Sequence, residues 1–243
     1  MAPRPVSSAD DAPEVSVAAV AADSAAAHGV ERTPAAPGRD GVSPPRRPTG
    51  AWAGLTPFSS RAYRYLFAGT FLTMTGYFMQ QVAQGWLIYD LTGSATWLGI
   101  VSFAGGIPML VLSLPGGVIA DRFDRRLVLI VGQGLTALVA VLLAALIWTG
   151  LVEPWHVAAA GFASGCFLVL IVPARQALLP TTVERSQLGP SIALMSTGMN
   201  SGRVVGPSLT GVVIAAFGVA TAFAAQAAGF LLALLCACML APQ

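Results

Sequence analysis

Residues 121–149 read DRFDRRLVLIVGQGLTALVAVLLAALIWT, with five charges in the first six positions and none in the 23 that follow. At ~1.5 Å per residue a helix over those 23 positions is ~35 Å long, enough to cross the ~30 Å hydrocarbon layer of a bilayer. The same alternation repeats on both sides. Apolar runs occupy about 65–89, 96–119, 127–149, 155–173, 190–217 and 221–240, with polar breaks at 90–94, 121–126, 150–154, 174–189 and 218–220. The chain is 55% hydrophobic and only 10% charged, and its mean hydropathy is +0.71. That composition excludes a water-soluble globule and implies an all-α membrane protein with six transmembrane helices.

The arginines give the arrangement a direction. Arg61, Arg64, Arg122, Arg125, Arg126, Arg175 and Arg185 fall on one side of the alternation, and the opposite breaks carry no Arg or Lys. Basic residues flank the cytoplasmic ends of membrane helices, so both termini are expected in the cytoplasm of a multi-pass protein of the plasma or inner membrane. Trp86, Trp97, Trp148 and Trp155 all border the arginine-free breaks, where amphipathic rings favour the headgroup zone. Net charge is only +2, and the arginines form no stripe, which argues against a nucleic-acid partner. Cys166, Cys236 and Cys238 lie in apolar runs and read as small packing residues. No Ser/His/Asp set, metal-ligand cluster or phosphate-cradling glycine loop occurs at working spacing, so neither an enzyme nor a resident cofactor or metal is expected.

Residues 1–56 differ in kind. Nine of the 17 prolines lie at or before Pro57, among Ala, Ser and Asp, without apolar periodicity. Such a segment buries too little to offset ordering entropy, and it is expected to be a disordered cytoplasmic tail, or an artefact of an over-called start, ahead of a transmembrane unit over 57–243.

Three features inside the apolar region are candidates for function. In the first run Thr73, Tyr77, Gln80 and Gln84 recur at steps of four, three and four and share one helix face, which either lines a substrate cavity or hydrogen-bonds to another helix. In the fifth run Arg203 lies roughly 20 Å from Pro190 along a helix, about mid-membrane, where an unpaired cation costs at least ~2.5–3.5 kcal/mol. It must face protein, water or an anion, and Asn200 lies one turn before it. Finally, no Asp or Glu falls within any of the six runs. Asp90 and Glu153 belong to the breaks, Asp90 being a turn residue or a proton carrier, so the carboxylate of any proton-coupled step is expected outside this chain.

Two motifs carry a family resemblance. The break Gly116-Gly117-Val118-Ile119-Ala120-Asp121-Arg122-Phe123-Asp124-Arg125-Arg126 resembles the signature Gly-x-x-x-Asp-Arg-x-Gly-Arg-Arg between the second and third helices of the major facilitator superfamily. Gly117 would admit a close backbone, while Asp121, Arg122, Arg125 and Arg126 would form a cytoplasmic gate rather than simple inside anchors. Asp124 stands where the family has Gly, which puts a tight turn in doubt. The fifth run, Gly198 to Gly211, resembles the fifth-helix motif of the superfamily's antiporters, with Gly198, Gly202, Gly206, Pro207 and Gly211 in place and Thr210 and Ala193 departing from it. Plain small-residue packing is the competing reading.

With Met79–Leu87 and Pro173–Pro180, the chain from about 57 to 240 resembles the efflux branch that contains enterobactin-exporter-like and macrolide-efflux-like proteins, the transmembrane secretion effectors. The resemblance implies one half of a major facilitator fold, built as two inverted three-helix repeats. It also implies proton-driven antiport of a small organic molecule such as a drug or siderophore, together with a partner surface: a second six-helix half or a homodimer mate. A truncated remnant or a membrane interaction scaffold that transports nothing is the alternative.

Overall fold

The computed structural model describes residues 53–240, and side chains at 55–112 and 123–240. Six α-helices follow a short 3-10 turn, Ala53–Ser59: α1 Arg61–Thr92, α2 Ala95–Arg122, α3 Arg125–Trp148, α4 Pro154–Thr182, α5 Leu188–Phe217 and α6 Val219–Cys238. No strand occurs among the described residues. Ala95–Leu112, Arg125–Trp148, Pro154–Thr182 and Val219–Cys238 are long and apolar enough to cross a membrane. α1 and α5 are as long, at 32 and 30 residues. α1, with Gln80, Gln81 and Gln84, and α5, with Asn200 and Arg203, are less apolar. Of the expected tail, positions 1–52 lie outside the described residues, and its last four begin the 3-10 turn.

Helix ends follow local chemistry. Ser60 caps α1 by accepting from the Tyr63 amide, and Gly218, at φ +83°, ends α5 and turns the chain directly into α6. Between α2 and α3 the turn consists of Phe123 and Asp124 alone. Both have negative φ, and the Asp124 carboxylate accepts from the amides of Arg126 (2.8 Å) and Leu127 (3.3 Å). The residue that departs from the family glycine is thus the N-cap of α3, and the tight turn forms without a glycine.

Two expected breaks need correction. α4 does not stop near residue 173; it runs on through Pro173 and Pro180 to Thr182, so the break shrinks to Val183–Gln187, with a 3-10 turn at Arg185–Gln187. Each proline removes one amide, a loss that a helix can tolerate where other helices pack against it. The spacing Thr181-Thr182-Val183-Glu184, which matches a capping box, starts no helix of its own. The Thr181 and Thr182 hydroxyls donate back to the Leu178 and Leu179 carbonyls and close α4. Asp90 likewise belongs to the last turns of α1, not to a loop, and Asp121 to the last turn of α2.

α1 and α4 are the central elements. α1 packs along α5 and α6, α4 along α2 and α3, and α3 meets α6. Three apolar clusters stack along the bundle: Tyr63, Leu66, Ile171 and Leu178 at the end bearing the arginines, Ala137, Ala140, Ala227 and Phe230 in the middle, and Ala83, Ile88, Val157 and Phe223 at the far end. Two contacts are so close that a side chain would not fit. A Cβ on Gly165 of α4 would stand 2.6 Å from the Gly105 carbonyl oxygen of α2, and one on Gly206 of α5 2.7 Å from the Thr75 carbonyl oxygen of α1. Backbone cannot yield as a side-chain tip can. Gly165→Ala and Gly206→Ala are each expected to lower stability by about 1–3 kcal/mol through overpacking, whereas Gly99→Ala, with open space around it, is expected to be neutral or stabilising; melting of the purified variants in detergent is the check.

Candidate functional site

Between α1, α4 and α5, with Met109 of α2 on one wall, lies an open cavity of about 460 Å³. α1 contributes Met74, Tyr77, Phe78 and Gln81; α4 contributes Leu168 and Val172; α5 contributes Ser196, Met199, Asn200 and Arg203. Its walls are mostly thioether, aromatic and aliphatic, with polar groups concentrated on α1 and α5. Arg203 is exposed to this space, its guanidinium carbon 5.3 Å from the centre of the Phe78 ring. A cation over a ring face is attracted by the ring quadrupole. Among the described residues no carboxylate pairs with it, so its charge is available to whatever enters. Gln81 donates to the Tyr77 hydroxyl at 3.2 Å, and the Tyr77 and Phe78 rings meet edge to face at 5.4 Å.

The stripe expected on α1 divides. Tyr77 reaches the cavity, while Thr73, Gln80 and Gln84 are buried in the interior of the bundle. Of the alternatives left open for that face, hydrogen bonding to other helices describes Thr73 and Gln80. The Gln133 amide of α3 donates to the Thr73 hydroxyl (2.5 Å), the Gln226 amide of α6 donates to Gln80 (3.0 Å), and Gln80 donates to Ser164 of α4 (3.1 Å). Gln84 lies against Gly161 of α4, and its amide nitrogen has no partner. The split arises because successive helical residues differ by ~100°: a stripe at steps of four and three spans a sector wide enough to touch both the interior and the neighbouring cavity.

On α5, Gly198, Gly202 and Gly206 face α1, where added Cβ atoms would meet Phe67, Met74 and Thr75 within 3.0 Å. Gly211 has open space, and Pro207 is half-buried inside the helix. In the break after α2, Arg125 donates to the Ala177 carbonyl (3.4 Å) and Arg126 to the Cys238 carbonyl (3.1 Å), so each ties α3 to the end of another helix. Gly117, Asp121 and Arg122 fall in the last turns of α2, and their side chains lie outside the described residues. No group of three His, Cys, Asp or Glu that could hold a metal occurs among the described residues.

Residues 51–242 match the family described as transmembrane secretion effector, a branch of the major facilitator superfamily. The chain belongs to this family. It is 30% identical over 173 residues to the staphyloferrin A transporter of Staphylococcus aureus, covering 71% of this chain and 44% of that protein. It is 32% identical over 178 residues to the enterobactin exporter of Citrobacter koseri, covering 72% and 42% respectively. An uncharacterised transporter of the superfamily from Bacillus subtilis is 26% identical over 147 residues, covering 59% and 33%. The match therefore spans less than half the length of these relatives. Membership places the chain in a family of membrane transport proteins, which in general are not enzymes.

Several site residues escaped the sequence reading. Phe78 adjoins the stripe but carries no polar atom, and Met74, Met109 and Leu168 look like any other lipid-facing side chain. Gln133, Ser164 and Gln226 were visible as isolated polar residues in apolar runs, a signal for an interior position in any family member. Replacing Gln226 with Leu removes the donor to Gln80 in the bundle core; the expected cost is about 1–2 kcal/mol, read as a lower melting temperature, with Arg203 and the cavity untouched.

Proposed function

We propose that this chain is the substrate-binding part of an exporter in which six helices cross the plasma or inner membrane, and that the cavity beside Arg203 receives a small anionic organic molecule. The observation that carries the reading is a single exposed guanidinium over Phe78, on the wall of an apolar cavity of about 460 Å³. Such a site favours a ligand with a carboxylate or phenolate beside an apolar or aromatic body, because the cation gains most where little water competes for it. Two of the relatives are named for siderophore transport, and a siderophore fits this description, as does an acidic drug. Tyr77, Gln81 and Asn200 supply the remaining polar contacts.

The unit over 57–243 is proposed to be built as two inverted three-helix repeats. Exchange of the first three helices with the last three maps the α1–α5 packing onto α4–α2 and the α1–α6 packing onto α4–α3, which supports this. Both termini and the loops carrying Arg125, Arg126 and Arg185 are assigned to the cytoplasm by the positive-inside rule. α2 and α5 leave exposed apolar side chains beside the cavity, where Val111 is 61% and Val204 69% exposed. A second six-helix half, or a second copy, against those faces would close the cavity and allow alternating access by rocking. Export is proposed to be driven by protons carried on that facing surface, since Asp90 and Glu153 lie at helix ends away from the cavity walls. Asp121, Arg122, Arg125 and Arg126 would then gate the cytoplasmic side.

In the assembled transporter Arg203→Leu is expected to reduce export of an anionic substrate by roughly 10-fold or more, with membrane insertion intact and partial recovery in Arg203→Lys. Unchanged efflux and substrate range would sink the assignment of Arg203. Orientation has its own check: in a cysteine-free background, a thiol at Thr92 should react with an impermeant maleimide on intact cells and one at Asp124 only after lysis.

A further inference from the structure

Arg175 is 4% exposed, on α4 two residues after Pro173, and both of its terminal guanidinium nitrogens lack a partner. A buried unpaired cation is among the costliest groups in a protein interior, and an orphan of this kind calls for an explanation. Arg175 borders a small cavity of about 10 Å³ between α1, α3, α4 and α6, with Thr70, Gln133 and Leu129 on its walls and Ala233 and Ala237 beside them.

The chemistry of that cavity is set by its neighbours. The Thr73 hydroxyl gives its proton to the Gly69 carbonyl at 2.6 Å, so it can only accept from Gln133. Gln133 must therefore turn its amide nitrogen to Thr73, and its oxygen is left buried without a donor. Thr70 likewise commits its proton to the Leu66 carbonyl at 2.6 Å and keeps only acceptor capacity. The cavity thus presents surplus donors from Arg175, an unmet acceptor on Gln133 and a spare acceptor on Thr70.

We propose that this cavity is a binding site for one ordered water, which accepts from the Arg175 guanidinium and donates to the Gln133 oxygen and the Thr70 hydroxyl. The free volume matches a single water, roughly 10 Å³, and buried waters typically make about three such bonds. An anion would satisfy Arg175 but would leave the Gln133 oxygen facing a like charge, and it needs more room. The water completes a joint between α1, α3 and α4 just beyond Pro173, where α4 lacks an amide and its ladder is weakest. Ser60 and Arg125 hold the same end of α4 through the Thr182 and Ala177 carbonyls. Arg175 is accordingly a positioning residue for the arginine-bearing end of α4 and lies apart from the substrate cavity.

A high-resolution map of the full-length protein in lipid nanodiscs tests the site directly. One density peak within about 2.7–3.2 Å of both an Arg175 terminal nitrogen and the Gln133 oxygen is expected; an empty cavity overturns the proposal, as does an anomalous peak there in bromide-soaked crystals, which would mean an anion. Independently, Gln133→Leu and Arg175→Met should each lower the melting temperature by roughly 5 °C, with the double variant no less stable than the worse single one. Additive losses would count against the shared water, and if Gln133→Leu alone fails to accumulate, recovery of folded protein on adding Arg175→Met is the expected result and its absence the contrary one.

Discussion

A polar side chain in the interior of a membrane helix bundle must be met by another, because neither lipid nor packed hydrocarbon offers it a partner. α1 carries the greatest share of such groups, and their pairing fixes how that helix is turned. Thr73 meets Gln133 of α3 at one level, and Gln80 meets Gln226 of α6 and Ser164 of α4 at another. The first of these stations is flanked by the arginine-end and central apolar clusters, the second by the central and far-end ones. A rotation of α1 by one residue, ~100°, would break both at once and leave their polar groups against hydrocarbon. Van der Waals packing alone would tolerate many rotations of an apolar helix; these hydrogen bonds select one.

Once α1 is so oriented, its other face is committed to the cavity. Tyr77, Phe78 and Gln81 turn outward toward α5, which approaches closely because Gly202 and Gly206 present no side chain to Met74 and Thr75. Arg203 emerges one position beyond Gly202, on the side of α5 that is not pressed against α1, and its guanidinium reaches back over Phe78. The close contact and the cationic wall are therefore parts of one arrangement, in which small residues bring two helices together and the next residue along carries the charge. The same logic operates where α4 meets α2 at Gly165 and Gly105, and it leaves α4 free to form the third wall.

The six helices were legible in the sequence because each is a local property, an apolar run bounded by charge, glycine or tryptophan. Family membership was legible too, from the break after α2 and the glycine spacing of α5. The end of α4 was misread for a definable reason. Prolines at 173 and 180 and the charge of Arg175 look locally like a loop, yet prolines persist in a helix where tertiary contacts compensate, and Arg175 finds a cavity instead of solvent. Thr73, Gln80 and Gln84 are buried in the bundle, but spacing alone could not separate a cavity from a helix contact, since the sector they share with Tyr77 borders both.

By itself, then, the sequence determined the number and approximate extent of the helices and the unequal sharing of arginine between their ends, because those depend on composition within one run. The tertiary structure alone decided that Tyr77, Asn200 and Arg203 meet around open space while Thr73 and Gln80 close the interior, and that Arg175 is buried. Each of those outcomes depends on a partner tens of residues away, and a helical face acquires its meaning only from the surface packed against it.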